Sequence, residues 1–195
     1  MEALTSVCVF TGSKHGRQAA YTAAARKTGR VLAERDITLV YGGGDIGLMG
    51  ECADAALDAG GRVIGVIPEF MVDHEVAHHG LTELRVVGSM HERKEAMAGL
   101  AEGFIALPGG WGTLEELFEM TTWAQLGLHE KPVALLDVNG FYDGLVGFLD
   151  HCVDEGFIKA GHRDLLLVDD DLNRLLDTMA GTGPATGTKW DGDRT

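Results

Sequence analysis

The chain has 195 residues, 45% of them hydrophobic and 24% charged, enough for one substantial core and too few for two ordinary domains. Sixteen Lys and Arg against thirty Asp and Glu leave a formal charge of −14, the wrong sign for gripping a phosphate backbone, so sequence-independent binding of nucleic acid is excluded. No apolar run approaches the roughly 20 residues that cross a bilayer, no basic-then-apolar leader opens the chain, and Cys8, Cys52 and Cys152 lie too far apart to suggest disulfides or a zinc cage. These features predict a soluble cytoplasmic protein with reduced thiols and no membrane partner.

In chain order, residues 6–11 (SVCVFT) form a β-branched run that breaks at Gly12, as a buried strand does on entering a turn. Residues 17–34 read as a helix. The alternation continues with strand 37–41, helix 46–59, strand 62–67, an irregular stretch to Gly80 and strand 84–87. Helix 89–102, strand 104–107, helix 113–127, strand 133–136, helix 141–154, strand 165–168 and a last helix to about Met179 complete it. Apolar strands separated by helices predict an α/β fold: a Rossmann-like, doubly wound parallel sheet of about seven strands with helices on both faces. Residues 1–180 form one expected domain, and the aperiodic stretch 181–195 (GTGPATGTKWDGDRT) an expected flexible tail. Ligands of such sheets sit beyond the carboxyl ends of the strands, which singles out the loops after Thr11, Tyr41, Ile67 and Leu107.

Two of these loops are glycine-rich. Gly42-Gly43-Gly44-Asp45-Ile46-Gly47 satisfies G-x-G-x-x-G, yet it follows the second strand, whereas a dinucleotide fingerprint follows the first strand of its unit. An NAD site is therefore disfavoured, although bare N–H groups at Gly43 and Gly44 suit an anion, as does Ser13 in the first loop. The second loop is Pro108-Gly109-Gly110-Trp111-Gly112-Thr113-Leu114-Glu115-Glu116, in which the glycines turn N–H groups inward and Thr113 is expected to open a helix. Thr113 and Glu116 also fit a T-x-x-E capping box, a purely structural alternative. At 100° per residue, however, Glu116 falls between Met120 and Trp123 on the apolar arc, with Glu115 and Glu119 on the polar side.

Helix 89–102 repeats the anomaly with opposite charge. Arg93 projects between Met97 and Leu100 on the apolar face, and Lys94 borders it. An unpaired buried guanidinium costs several kcal/mol, so Arg93 needs an acidic partner or an anionic ligand unless its stem snorkels to water. His74-Glu75-Val76-Ala77-His78 is a literal H-E-x-x-H, but it sits between Pro68 and Gly80 with no room for a sustained helix, so a zinc peptidase is disfavoured.

Pro108 to Glu116 resembles the PGGxGTxxE motif, and Met90-His91-Glu92-Arg93-Lys94 the MHxRK motif, of the LONELY GUY family of cytokinin riboside 5′-monophosphate phosphoribohydrolases. The likeness runs from about Val7 to Val168. It takes in YGGGxxGLMG (from Tyr41), VIGVIP (from Val63), a Glu in the following loop, TWAQLG (from Thr122) and EGFI (from Glu155). The resemblance implies a homodimeric Rossmann-like enzyme that hydrolyses the N-glycosidic bond of adenosine-type 5′-monophosphates, with Arg93 and Glu116 as the catalytic pair. It also implies nucleotide contacts from Glu75, Lys94, Gly110, Trp111, Gly112, Thr113, Leu114, Glu115, Glu116 and Thr122, and no metal or cofactor. Departures from the family pattern are Lys14 in the first loop, 101–103 (AEG) before the fifth strand, and Trp111 in place of a common Tyr or Ile. The apolar arc of helix 113–127 exceeds half its circumference, which independently predicts a covering second subunit. A non-catalytic nucleotide-binding or carrier protein of the same fold is the alternative.

Overall fold

In strand β1 (Ser6–Phe10), Val7 and Val9 point to one side of the sheet and Cys8 and Phe10 to the other, and every residue is buried. That two-sided burial is the signature of a central parallel strand. The computed structural model describes residues 4–72 and 76–182. Within them β1 is flanked by β2 (Thr38–Tyr41), β3 (Val63–Pro68) and β4 (Glu83–Val87) on one side. On the other side lie β5 (Phe104–Ala106), β6 (Val133–Leu136) and β7 (Leu166–Asp169), giving a seven-stranded sheet of order β4-β3-β2-β1-β5-β6-β7. All neighbouring pairs are parallel.

Helices α1 (Ala19–Glu34), α2 (Gly47–Asp58) and α7 (Leu172–Gly181) pack on the face that takes Val7 and Val9. Helices α3 (Met90–Leu100), α4 (Trp111–Gln125) and α5 (Asp143–Asp154) pack on the face that takes Cys8 and Phe10. The expected doubly wound α/β fold is therefore what forms. The chain reverses its direction of travel across the sheet between β1 and β5, and their carboxyl ends are stitched together there. Gly12 N–H donates to the Pro108 carbonyl at 3.1 Å, and the buried Tyr142 hydroxyl donates to the Leu107 carbonyl at 2.6 Å.

Differences from the sequence reading are local. Helix α4 begins at Trp111, two residues before Thr113, because Gly110 takes the cap position. Strands β4 and β7 are edge strands and expose residues such as Val86 and Val168, so their apolar sequences do not mean burial on both faces. A one-turn helix α6 (Ala160–Arg163) has no periodic signal at four residues. Helix α7 runs on to Gly181, and the tail from Gly183 lies outside the described residues.

Helices α1 and α2 meet closely at Gly29, where an added Cβ would collide with the Cys52 carbonyl and stand 2.9 Å from Ala56 N. Backbone atoms cannot rotate out of the way, so overpacking outweighs the helix-propensity gain of about 1 kcal/mol that alanine brings. Gly29→Ala is expected to lose about 1–2 kcal/mol net and a few degrees of Tm. A circular-dichroism melt checks this; an unchanged Tm would show that the two helices separate freely.

Candidate functional site

The glycine turn after β5 delivers an open helix start. Leu114 N–H makes the first bond back to the Gly110 carbonyl at 3.1 Å, and Gly110 has no side chain with which to cap. Among the described residues nothing accepts from the N–H groups of Trp111, Gly112 or Thr113. Three converging donors at the positive end of a 15-residue helix suit a phosphate. Thr113 is the third helical residue, not the cap, so the T-x-x-E capping box does not form. Its buried side chain instead fills the space a Cβ on Gly109 would need, which is why glycine stands there. Gly110, Gly112 and Trp111 are exposed, the indole at 90%, and Leu114 packs partly against the core.

Arg93 is 5% exposed, so it does not snorkel. Its Nε donates to the Val66 carbonyl of β3 at 3.1 Å and its Nη2 to the Gly42 carbonyl after β2 at 2.8 Å, while Nη1 lies 3.6 Å from Met71 Sδ. The first glycine of the Gly42–Gly44 cluster is explained by this contact: a Cβ on Gly42 would run into the guanidinium. Glu116 is half-buried on α4. Both charges act on the buried Cys8 thiol of β1. Burial pushes that thiol's pKa well up, Glu116 pushes the same way, and Arg93 opposes it. An anion and a cation on successive helices thus stand over the same face of the sheet and act on the same thiol in opposite senses.

Lys94 is turned toward α4, where its Nζ meets Glu115 Oε1 at 2.5 Å and Glu119 Oε1 at 3.0 Å. Burial opposes the charge on Lys94, yet the two carboxylates outweigh it and raise the pKa above the ordinary lysine value. Spacing hid this cluster, because Glu115 and Glu119, one turn apart on the polar side of α4, read as solvated. The sequence also gave no signal for the carbonyls of Gly42 and Val66 that hold Arg93.

Gly43 and Gly44 are buried. An antiparallel bridge between Gly44 and Ala77 lays the 76–78 segment across them, through Asp45 N–H to the Val76 carbonyl and His78 N–H to the Gly43 carbonyl. Ser13 is exposed beside the glycine turn of α4, on the wall of a cavity of about 310 Å3. Glu75 and His74 lie outside the described residues. His78, the other histidine of H-E-x-x-H, sits in no helix. Gly80 N–H donates to its Nδ1 at 3.1 Å, which leaves the Nε2 proton to Asp54 at 2.9 Å, so the ring latches its loop to α2. Thr122 is exposed, roughly 16 Å along α4 from Trp111, and does not join the others within one chain.

Residues 49–179 match the protein family described as "Possible lysine decarboxylase". A probable cytokinin riboside 5′-monophosphate phosphoribohydrolase of Oryza sativa subsp. japonica, LOGL9, is 53% identical over 161 residues, covering 83% of this chain and 71% of the relative. The cytokinin riboside 5′-monophosphate phosphoribohydrolase LOG of the same plant is 54% identical over 161 residues, 83% of this chain and 66% of that protein. LOG3 of Arabidopsis thaliana is 45% identical over 193 residues, 96% of this chain and 90% of the relative. Among solved structures, a molybdenum cofactor binding protein from Rippkaea orientalis matches with TM-score 0.69 at 19% identity, covering 93% of this chain and 98% of that one. A molybdenum cofactor carrier protein from Chlamydomonas reinhardtii matches with TM-score 0.66 at 23% identity, covering 89% and 94%. At such identities the structures share the fold alone. The sequence matches are decisive: the chain belongs to the family of cytokinin riboside 5′-monophosphate phosphoribohydrolases.

The Lys94 cluster is testable without any substrate. Removing the ammonium leaves two carboxylates facing each other, and Glu119 Oε2 is already buried without a hydrogen-bond partner. Lys94→Met is expected to cost about 1–2 kcal/mol at pH 7.5, with Glu119→Gln added to it restoring part. Because the folded pKa of Lys94 is raised, the cluster's contribution is complete below the unfolded lysine value and fades as pH climbs through the folded one. Urea unfolding should therefore show the gap between wild type and Lys94→Met narrowing above about pH 10. A gap that widens there would disprove the assignment.

Proposed function

We propose that this family member hydrolyses the N-glycosidic bond of cytokinin riboside 5′-monophosphates, and of AMP, to release the free adenine-type base and ribose 5-phosphate. The observation that carries the reading is the buried Arg93, locked by two main-chain carbonyls beside the helix that bears Glu116. That expensive arrangement sits at the carboxyl edge of the sheet, where a fold of this type places its ligand.

The N–H groups of Trp111, Gly112 and Thr113 hold the 5′-phosphate, with Ser13 alongside, and this remote grip lends binding energy to the reaction at C1′. As the C1′–N9 bond breaks, its electron pair leaves with the purine and the ribose takes on oxocarbenium character. Glu116 stabilises that cation and orients the water whose oxygen adds to C1′. The water's proton is lost to the departing base or to solvent. Arg93 stays protonated throughout, so it stabilises charge developing on the base and keeps Glu116 ionised. Lys94 is held by Glu115 and Glu119, so it and Glu115 act on the nucleotide through the placement of α4.

The active form we propose is a homodimer in the cytoplasm. Phe118, Phe148 and Phe157 are exposed at 37%, 60% and 85%, and Phe118 and Thr122 line an apolar hollow beside α5. A second copy would cover that face, and Thr122 would then serve a nucleotide held by the partner. Among the described residues no helix is long and apolar enough to cross a membrane, and the three cysteines are free.

Incubation with AMP and with its N6-isopentenyl analogue should yield base and ribose 5-phosphate, read by chromatography of the base. Glu116→Gln and Arg93→Ala should each lower kcat at least ~1,000-fold, as loss of a transition-state charge partner does. Glu116→Gln should keep the wild-type melting curve. Turnover undiminished in either variant overturns the assignment of that residue, and nucleotide binding without any product favours a carrier. Light scattering should give twice the chain mass of 20.8 kDa.

A further inference from the structure

We propose that Lys14 is a 5′-phosphate ligand that sets the affinity of this chain for nucleotide, an inference that rests on the reading above. The cavity of about 310 Å3 at the reversal point between β1 and β5 has Gly12, Ser13 and Lys14 on one wall and Pro108, Gly109 and Gly110 on the other. Its second wall is the turn that leads into the open start of α4. The first wall is rigid. Gly12 N–H is tied to Pro108 at 3.1 Å, the Gly12 carbonyl accepts from Leu48 N–H of α2 at 3.0 Å, and Gly47 (φ 59°) presses so closely on Ser13 and Lys14 that no Cβ would fit.

Charge then distinguishes Lys14 from its neighbours. His15, also on the cavity, is engaged by Glu51 at 3.1 Å, and Glu51 is in turn held by Arg26. Among the described residues Lys14 has no carboxylate partner, although the chain carries 30 Asp and Glu. A lysine left unneutralised on an acidic protein, on a wall braced against the glycine turn, is placed to meet a dianion. The helix start supplies directional N–H donors; Lys14 supplies the full positive charge that those donors lack. Lys14 stands on the loop after β1 and not on α4, so its attraction is not geared to Glu116 as the helix N–H grip is, and its effect falls on binding common to ground and transition states.

Steady-state kinetics with AMP, and inhibition by inorganic phosphate, test this in Lys14→Ser and Lys14→Arg. Lys14→Ser should raise the KM for AMP about tenfold and the inhibition constant of phosphate by the same factor, with kcat within about twofold of wild type. Lys14→Arg should restore both constants. A KM and a phosphate inhibition constant that stay at the wild-type values in Lys14→Ser overturn the proposal, as does a fall in kcat at constant KM. Should the wild-type protein release no base from AMP, the hydrolase reading fails by itself. Calorimetric titration with AMP then judges Lys14 independently: weaker binding to Lys14→Ser supports it, and equal binding overturns it.

Discussion

The burial of one guanidinium organises the site. Taking Arg93 out of water costs several kcal/mol unless its donors are satisfied, and Nε and Nη2 are satisfied by main chain: the carbonyls of Val66 and Gly42 at the carboxyl ends of adjacent parallel strands. Carbonyls at that edge are available because the strands end there. The arrangement has consequences along the chain. Gly42 must lack a side chain, α3 must start where Ser89 caps it so that its fourth residue reaches the edge, and the segment after β3 must bring Met71 alongside. No single local preference produces this. It exists only when β2, β3 and α3 have docked, so the positioning of the charge and the completion of the fold are one event.

The glycine turn of α4 solves the complementary problem for an anion. Here charge is not buried in advance; donors are left unused. Gly109 gives up its Cβ to the Thr113 side chain, Gly110 offers no cap, and the first turn of the helix presents its N–H groups outward. Glu116 follows on the same helix, so a phosphate gripped at the helix start and a carboxylate less than two turns along are rigidly spaced. In the proposed reaction this rigidity lets energy gained at the phosphate be spent at C1′ without loss to motion between the two. Lys94, clamped to Glu115 and Glu119, fastens α3 to α4 and so fixes Arg93 relative to Glu116.

Much of this was legible in the sequence, for identifiable reasons. Alternating apolar strands and amphipathic helices gave the doubly wound sheet, since burial period is a direct consequence of backbone geometry. Arg93 and Glu116 stood out because a charge on an apolar arc needs an explanation. What stayed hidden depended on contacts between distant segments. The G-x-G-x-x-G run at Gly42 carried no hint that residues 76–78 overlie it or that its first glycine makes room for Arg93. Thr113 looked like a helix cap because threonine favours that place, but Gly110, three residues earlier, takes the cap instead. Periodicity locates a helix to within a turn, and the chemistry of its first turn depends on less than that.

The comparison with molybdenum cofactor proteins of the same fold shows where functional information resides. Those structures overlay about nine-tenths of the chain at 19–23% identity, so the sheet and its crevice are common property and say little about turnover. A protein that only binds a nucleotide needs donors for the phosphate and apolar surface for the base. It gains nothing from desolvating an arginine next to a carboxylate, because a ground-state ligand carries no charge at C1′ for that carboxylate to meet. A reaction that develops positive charge on a sugar and negative charge on the departing base needs both signs at hand, fixed in place before the bond breaks. Retaining Arg93 at 5% exposure, with Glu116 carried on the next helix over the same face of the sheet, is a cost that binding alone would not repay.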